Sequence, residues 1–74
     1  MPEMMPGKLL VILALENGGC SIYWIDRDLC ERAERIGKKR RVLPMTAQEY
    51  ARLLAIAHAK AEGLELSKKT RELQ

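Results

Sequence analysis

The chain has a single histidine, His58, so it offers one ordinary base for activating a nucleophile near neutral pH. Nucleophilic catalysis needs that base beside a nucleophile, with a third group to orient it. His58 instead sits among alanines with Glu62 one turn on, a setting in which an imidazole suits the C-terminal half of a helix. A metal centre assembled from Cys20, Cys30 and His58 lacks a fourth ligand and any CxxC or HxxxH pair. Asp26 and Asp28, one residue apart, serve the electrostatics of a helix start better than acid/base work. Asn17-Gly18-Gly19 reads as a hairpin turn, because no helix starts directly after it and neither GxGxxG nor GxxxxGKS/T is present. No catalytic residue, metal or cofactor is expected, and the chain is not expected to be an enzyme.

What remains is binding chemistry. Residues 1–37 hold four basic and six acidic side chains, a net of −2, whereas residues 38–74 hold nine and four, a net of +5. The overall +3 conceals a polarised molecule, and the asymmetry favours an anionic partner or an acidic protein patch. Its centre is Lys38-Lys39-Arg40-Arg41, which reads as a loop without a nearby acid and is suited to phosphates or an acidic groove. Tyr23 and Trp24 fall on opposite faces of a strand. Trp24 is taken as core and Tyr23 as the exposed aromatic, available to stack a base or anchor a protein contact. The chain has no phenylalanine and no paired aromatic motif of an RNA-binding sheet. Arg52 and Ile56 project to the outside of the second helix, Ile56 being its one large outward aliphatic. The candidate partner or nucleic-acid residues are therefore Lys38, Lys39, Arg40, Arg41, Tyr23, Arg52 and Ile56.

The elements that position these residues follow from local pattern. Lys8 to Leu15 (KLLVILAL) and Cys20 to Ile25 (CSIYWI) are rich in β-branched, aliphatic and aromatic residues and flank a glycine turn, which predicts an antiparallel hairpin. Asp26 N-caps a three-turn helix with Leu29, Cys30, Ala33 and Ile36 on one face and Gly37 just past its end. Asp28 with Arg32 and Glu31 with Arg35 are spaced as i,i+4 pairs. Val42-Leu43 is expected to add a short third strand before Pro44. Thr46-Ala47-Gln48-Glu49 is a capping box, with Met45 and Tyr50 at staple positions, and Gly63-Leu64 a stop of Schellman type. The chain thus divides into a loose leader over 1–7, a single α+β domain over 8–64 and a flexible polar tail over 65–74. The expected core is Leu9, Val11, Leu13, Ile22, Trp24, Leu29, Ala33, Ile36, Val42, Tyr50, Leu53, Leu54 and Ala57.

Seventy-four residues at 47% apolar and 31% charged content suit one small core, leave little volume for an enclosed active site and so exclude most enzymes. Two cysteines are too few for a disulfide framework, and the apolar run Leu9 to Leu15 is too short to span a bilayer. Reduced thiols, a cytoplasmic location, no membrane contact and a monomer when free are expected.

Two binding classes fit. One is a regulatory protein that docks on a larger protein through its strand edge, helix exterior and basic loop. The other is a small basic DNA- or RNA-binding regulator. Ribbon-helix-helix and helix-turn-helix proteins join their helices by a short turn, which the stretch from Lys38 to Met45 does not resemble. In size, strand-then-helix order, basic middle and lack of a catalytic constellation, the chain resembles the tiny phage-encoded regulators that bind host RNA polymerase, of the Xanthomonas phage inhibitor and antiterminator type. That resemblance implies binding to the polymerase β′ subunit, interference with σ at initiation, and read-through of terminators near the RNA exit channel. There, Lys38 to Arg41 would meet acidic protein and nascent RNA.

Overall fold

A computed structural model describes residues 5–44 and 46–71. Its elements run β1 (Lys8–Ala14), β2 (Cys20–Asp26), α1 (Arg27–Arg40), α2 (Ala47–Ala61) and α3 (Lys68–Arg71), an α+β architecture. The strands form one antiparallel ladder in which Leu13 faces Ser21, Val11 faces Tyr23 and Leu9 faces Ile25. Its loop is three residues long. Leu15 and Gly18 close a turn (Gly18 N to Leu15 O, 3.1 Å), Gly18 takes φ 94°, and Leu15 N then meets Gly19 O at 2.9 Å. A three-residue loop with glycine in the left-handed position is a favoured hairpin connection. Asn17 Oδ1 completes it by accepting from Gly19 N at 2.9 Å.

The register decides which side chains enter the core. Val11, Leu13 and Ile25 are buried with Tyr23 half-buried on the same face, whereas Ile12 and Ile22 lie on the other face, 52% and 57% exposed. The expected β1 parity holds. For β2 it is reversed: Ile22 is exposed and Trp24 lies half-buried on the outer face, while Tyr23 and Ile25 point inward. A shift of one residue in register exchanges the two faces of a strand. Because Leu13 meets Ser21, every odd-numbered residue of β2 lies on the core side.

Asp26 caps α1 as its spacing predicts, accepting from Leu29 N at 3.0 Å. The helix does not stop at Gly37, however, but runs through Lys38 and Lys39 to Arg40, and Arg41 takes the left-handed cap at φ 56°. Gly37 is buried against the next segment, where a Cβ would stand 3.0 Å from Pro44 O and 3.2 Å from Val42 O. The buried side of α1 consequently runs along Cys30 and Gly37, leaving Leu29 and Ile36 42% and 55% exposed and Ala33 half-buried. Val42 and Leu43 form no third strand; they are exposed loop residues before a cis Leu43–Pro44 peptide. Of the two expected i,i+4 pairs neither forms an ion pair among the described residues; Lys38 instead reaches Glu34 at 3.5 Å.

Helix α2 begins where the capping box places it, with Thr46 Oγ1 accepting from Glu49 N at 3.0 Å. Gly63 at φ 79° and the bond from Leu64 N to Ala59 O at 3.0 Å end it as expected. Its buried face is the surprise. Ala51, Ala55, Ile56 and Ala59 are buried, Tyr50, Leu53 and Leu54 half-buried, and Ala57 and Ala61 exposed. Alanines at i,i+4 spacing form a low ridge that lets α2 lie close on both strands and on α1, and Ile56 supplies the bulk beside it.

The segment after Leu64, expected to be a flexible tail, is instead packed: Leu66 and Thr70 are 3% and 1% exposed. Leu66 bridges Leu15, with Glu16 N to Glu65 O at 2.8 Å and Ser67 N to Ala14 O at 3.0 Å. Ser67 then caps α3, its Oγ accepting from Thr70 N at 3.4 Å and donating to Thr70 Oγ1 at 3.3 Å. Burying Leu66 against the hairpin end supplies the driving force that polar composition conceals. The domain therefore extends through the segment to Arg71. Within the leader, Pro6 and Gly7 turn the chain into β1, and Gly7 O accepts from Arg27 N at 2.9 Å. The first four leader residues, the staple residue Met45 and the last three tail residues lie outside the described residues.

Candidate docking surfaces

The seven candidate residues do not converge. Lys38 to Arg41 cap the far end of α1, Tyr23 faces inward from β2, and Arg52 and Ile56 belong to α2. Ile56, expected outside, is 3% exposed within the core and is unavailable to a partner. Tyr23 stacks on His58 with ring centroids 6.1 Å apart and donates its hydroxyl to Glu62 Oε1 at 3.0 Å. It ties the sheet to the end of α2. Arg52 is half-buried, and its Nε is buried without a hydrogen-bond partner among the described residues.

Two surfaces are left. The first is the outer side of the hairpin. Leu10 pairs with Trp24 and Ile12 with Ile22, so this face carries four large apolar residues and no cation between them. A sheet apolar on both faces is ordinarily covered on both. Its two edges also differ. Along β1, Lys8 O accepts from Arg27 Nη2 at 3.3 Å, Leu10 O from Gln48 Nε2 at 3.1 Å and Ala14 O from Ser67 N at 3.0 Å. Along β2 the backbone pairs with β1 alone among the described residues. From Cys20 to Ile25 that bare edge carries no charge and no proline, the usual protections of an exposed strand.

The second surface is the basic end of α1. The run read as a loop is helical through Arg40, so its cations also favour the negative end of the helix dipole. Lys38 is drawn to Glu34, whereas Lys39, Arg40 and Arg41 make no ion pair among the described residues. Beside them Ile36, Val42 and Leu43 stand 55%, 52% and 78% exposed.

Little else here supports reaction chemistry. Cys20 is exposed and Cys30 buried, both as free thiols, and burial pushes the Cys30 thiol above its ordinary range. Among the described residues no three His, Cys, Asp or Glu side chains are grouped to hold a metal ion, and no helix is long and apolar enough to cross a membrane. Comparison with known proteins finds no matching family model, no matching curated sequence and no matching solved structure.

Sequence reasoning found the basic run but missed the outer hairpin face. Its signal was present: Leu9-Leu10-Val11-Ile12-Leu13 is apolar at every position, which a strand covered on one side does not require.

Proposed function

We propose that this chain is a non-catalytic regulatory protein that docks on a larger protein by strand addition along β2. The observation that carries this reading is the contrast between the two edges: three carbonyls of β1 are capped from within the chain, while β2 is bare and uncharged beside Ile22 and Trp24. An extended partner strand would satisfy the backbone groups of that edge, and side chains over Ile12, Ile22 and Trp24 would supply apolar contact. The likeness in overall character to small phage regulators makes host RNA polymerase the leading partner, its β′ subunit the docking point, and the host cytoplasm the place of action. Inhibition of initiation and passage through terminators are the expected consequences. The free chain is monomeric in this reading.

The test is retention of purified bacterial RNA polymerase on the immobilised chain, with Ile22→Lys as the comparison. The native chain should hold the enzyme, and the variant should lose it while keeping a native far-ultraviolet spectrum. Equal retention by both would overturn strand addition, no retention by either would overturn the polymerase assignment, and a free chain that sediments as a dimer would give the β2 edge to a second copy.

A specific observation also supports nucleic-acid contact as a second reading. Three unpaired cations lie together at one end of α1, and phosphates would bind there with a steep salt dependence. Binding of bare DNA or RNA that survives Ile22→Lys and disappears in moderate salt would favour it.

A further inference from the structure

Two features at the end of α1 play no part in hairpin docking. The first is the residue at the left-handed cap. Helices that end this way ordinarily place glycine there, because a side chain at positive φ crowds the backbone. Here Arg41 occupies the position at φ 56°, at a cost in stability that glycine would avoid. The second is a groove of about 330 Å³ beside it, walled by Ile36, Arg40, Val42, Leu43, Pro44 and Tyr50. Its shape depends on Gly37, whose missing side chain lets the Val42 to Pro44 segment lie against α1.

We infer that this groove is a second binding site, separate from the hairpin, for an acidic amphipathic segment of a protein partner. One large apolar side chain seats between Ile36, Val42, Leu43 and Tyr50, and carboxylates on either side of it meet Lys39, Arg40 and Arg41. The charge argument is local. A helix C-terminus by itself repels anions. In α1 the carbonyls of Gly37 and Lys38 are already taken by the N–H groups of Val42 and Arg41, at 2.8 and 3.3 Å. The three unpaired cations therefore set the sign of the field around the groove.

The walls select protein over nucleic acid. Apart from Arg40 and the Tyr50 hydroxyl, the side chains lining the groove are apolar, and all of these but the Tyr50 ring are aliphatic. A base seated there would lose water from its polar edge without regaining partners, whereas a leucine or isoleucine leaves nothing unpaired. Arg41 fits the same account: it keeps a fourth consecutive cation at the rim in the place where the backbone prefers glycine.

The test titrates the isotope-labelled chain with a synthetic four-turn peptide, leucine at helical spacing and glutamate elsewhere, and follows amide shifts. A scrambled peptide of equal composition, a glutamine version and a single-stranded RNA oligonucleotide are the comparisons. Shifts should concentrate at Ile36, Gly37, Arg40, Val42 and Leu43, and the scrambled and glutamine peptides should bind about tenfold more weakly. Arg41→Gly should raise the melting temperature and yet weaken the peptide about two- to fivefold, a pair of effects that a purely structural cap would not produce. Leu43→Ser should weaken the peptide with the melting temperature unmoved. Shifts elsewhere or none, equal binding by the scrambled peptide, tighter binding of RNA at these residues, or unchanged affinity in Arg41→Gly would each overturn the inference. None of these outcomes bears on β2, whose test is separate.

Discussion

Gly37 lies so close to Pro44 that a methyl group on its Cα would stand 3.0 Å from the Pro44 carbonyl oxygen. The same methyl would meet Val42 O at 3.2 Å, and both obstacles are backbone. In an exposed helix Gly→Ala gains about 1 kcal/mol. Here the overlap outweighs that gain, and Gly37→Ala should destabilise the fold by about 1–3 kcal/mol. Urea melts of the two proteins check this, and a variant as stable as the native chain would show that the segment after α1 does not clasp the helix.

The alanine ridge of α2 leads to an unequal pair of substitutions. Ile56 is 3% exposed, whereas Leu53 is half-buried at the edge of the packed face. Ile56→Ala should cost about 2–5 kcal/mol, as buried large-to-small changes do, and Leu53→Ala roughly 1 kcal/mol or less by its smaller buried area. Parallel denaturation curves decide the matter. The reverse order would mean that α2 packs by its leucine side.

That side is the one the sequence pointed to, and the reason lies in α2 itself. From Ala47 to Ala61 it carries apolar residues on every side, and the large residues Tyr50, Leu53 and Leu54, grouped on one side, nominate a face that leaves the equally large Ile56 outside. Close approach rewards the small residues instead. The hairpin hid its parity in the same way, since Ile22, Tyr23, Trp24 and Ile25 are all fit for a core and only the three-residue loop fixes which enter. Gly37 was legible as a special position but for the wrong reason: close contact demands it, while the left-handed cap falls on Arg41. The caps at Asp26 and Thr46 were legible because their chemistry is local. The basic run was legible as a charge cluster, but its helical form and its groove depend on a contact seven residues away in the chain.

Asp26 gives a pH dependence with a definite sign. The hydrogen bond from Leu29 N holds its carboxyl below the ordinary aspartate range against the opposing effect of desolvation, and the nearby Lys8 adds a smaller pull in the same direction as the hydrogen bond. A folded-state pKa below the unfolded one means stability that is fully present above the unfolded value and is lost as pH falls through the folded one. The native chain should therefore lose helix-capping stability below roughly pH 4. Asp26→Asn should remain close to native at neutral pH, because asparagine also caps well, and its stability should fall less steeply in acid. Identical acid limbs in the two proteins would remove Asp26 from the account.

Leu66 tests whether the end of the chain belongs to the core. It is 3% exposed, it bridges Leu15 beyond the end of β1, and Ser67 N closes onto Ala14 O at 3.0 Å. If that segment is an integral third layer on the hairpin end, Leu66→Ala should cost about 2–4 kcal/mol. Thr70, 1% exposed, provides the polar control. Thr70→Val keeps the shape and removes the hydroxyl that meets Ser67 Oγ at 3.3 Å, which should cost about 1 kcal/mol. A single cooperative melt shifted by both substitutions, with Leu66→Ala the larger, is the expected result. A melt unmoved by Leu66→Ala would separate this segment from the folded unit and return the domain boundary to Leu64.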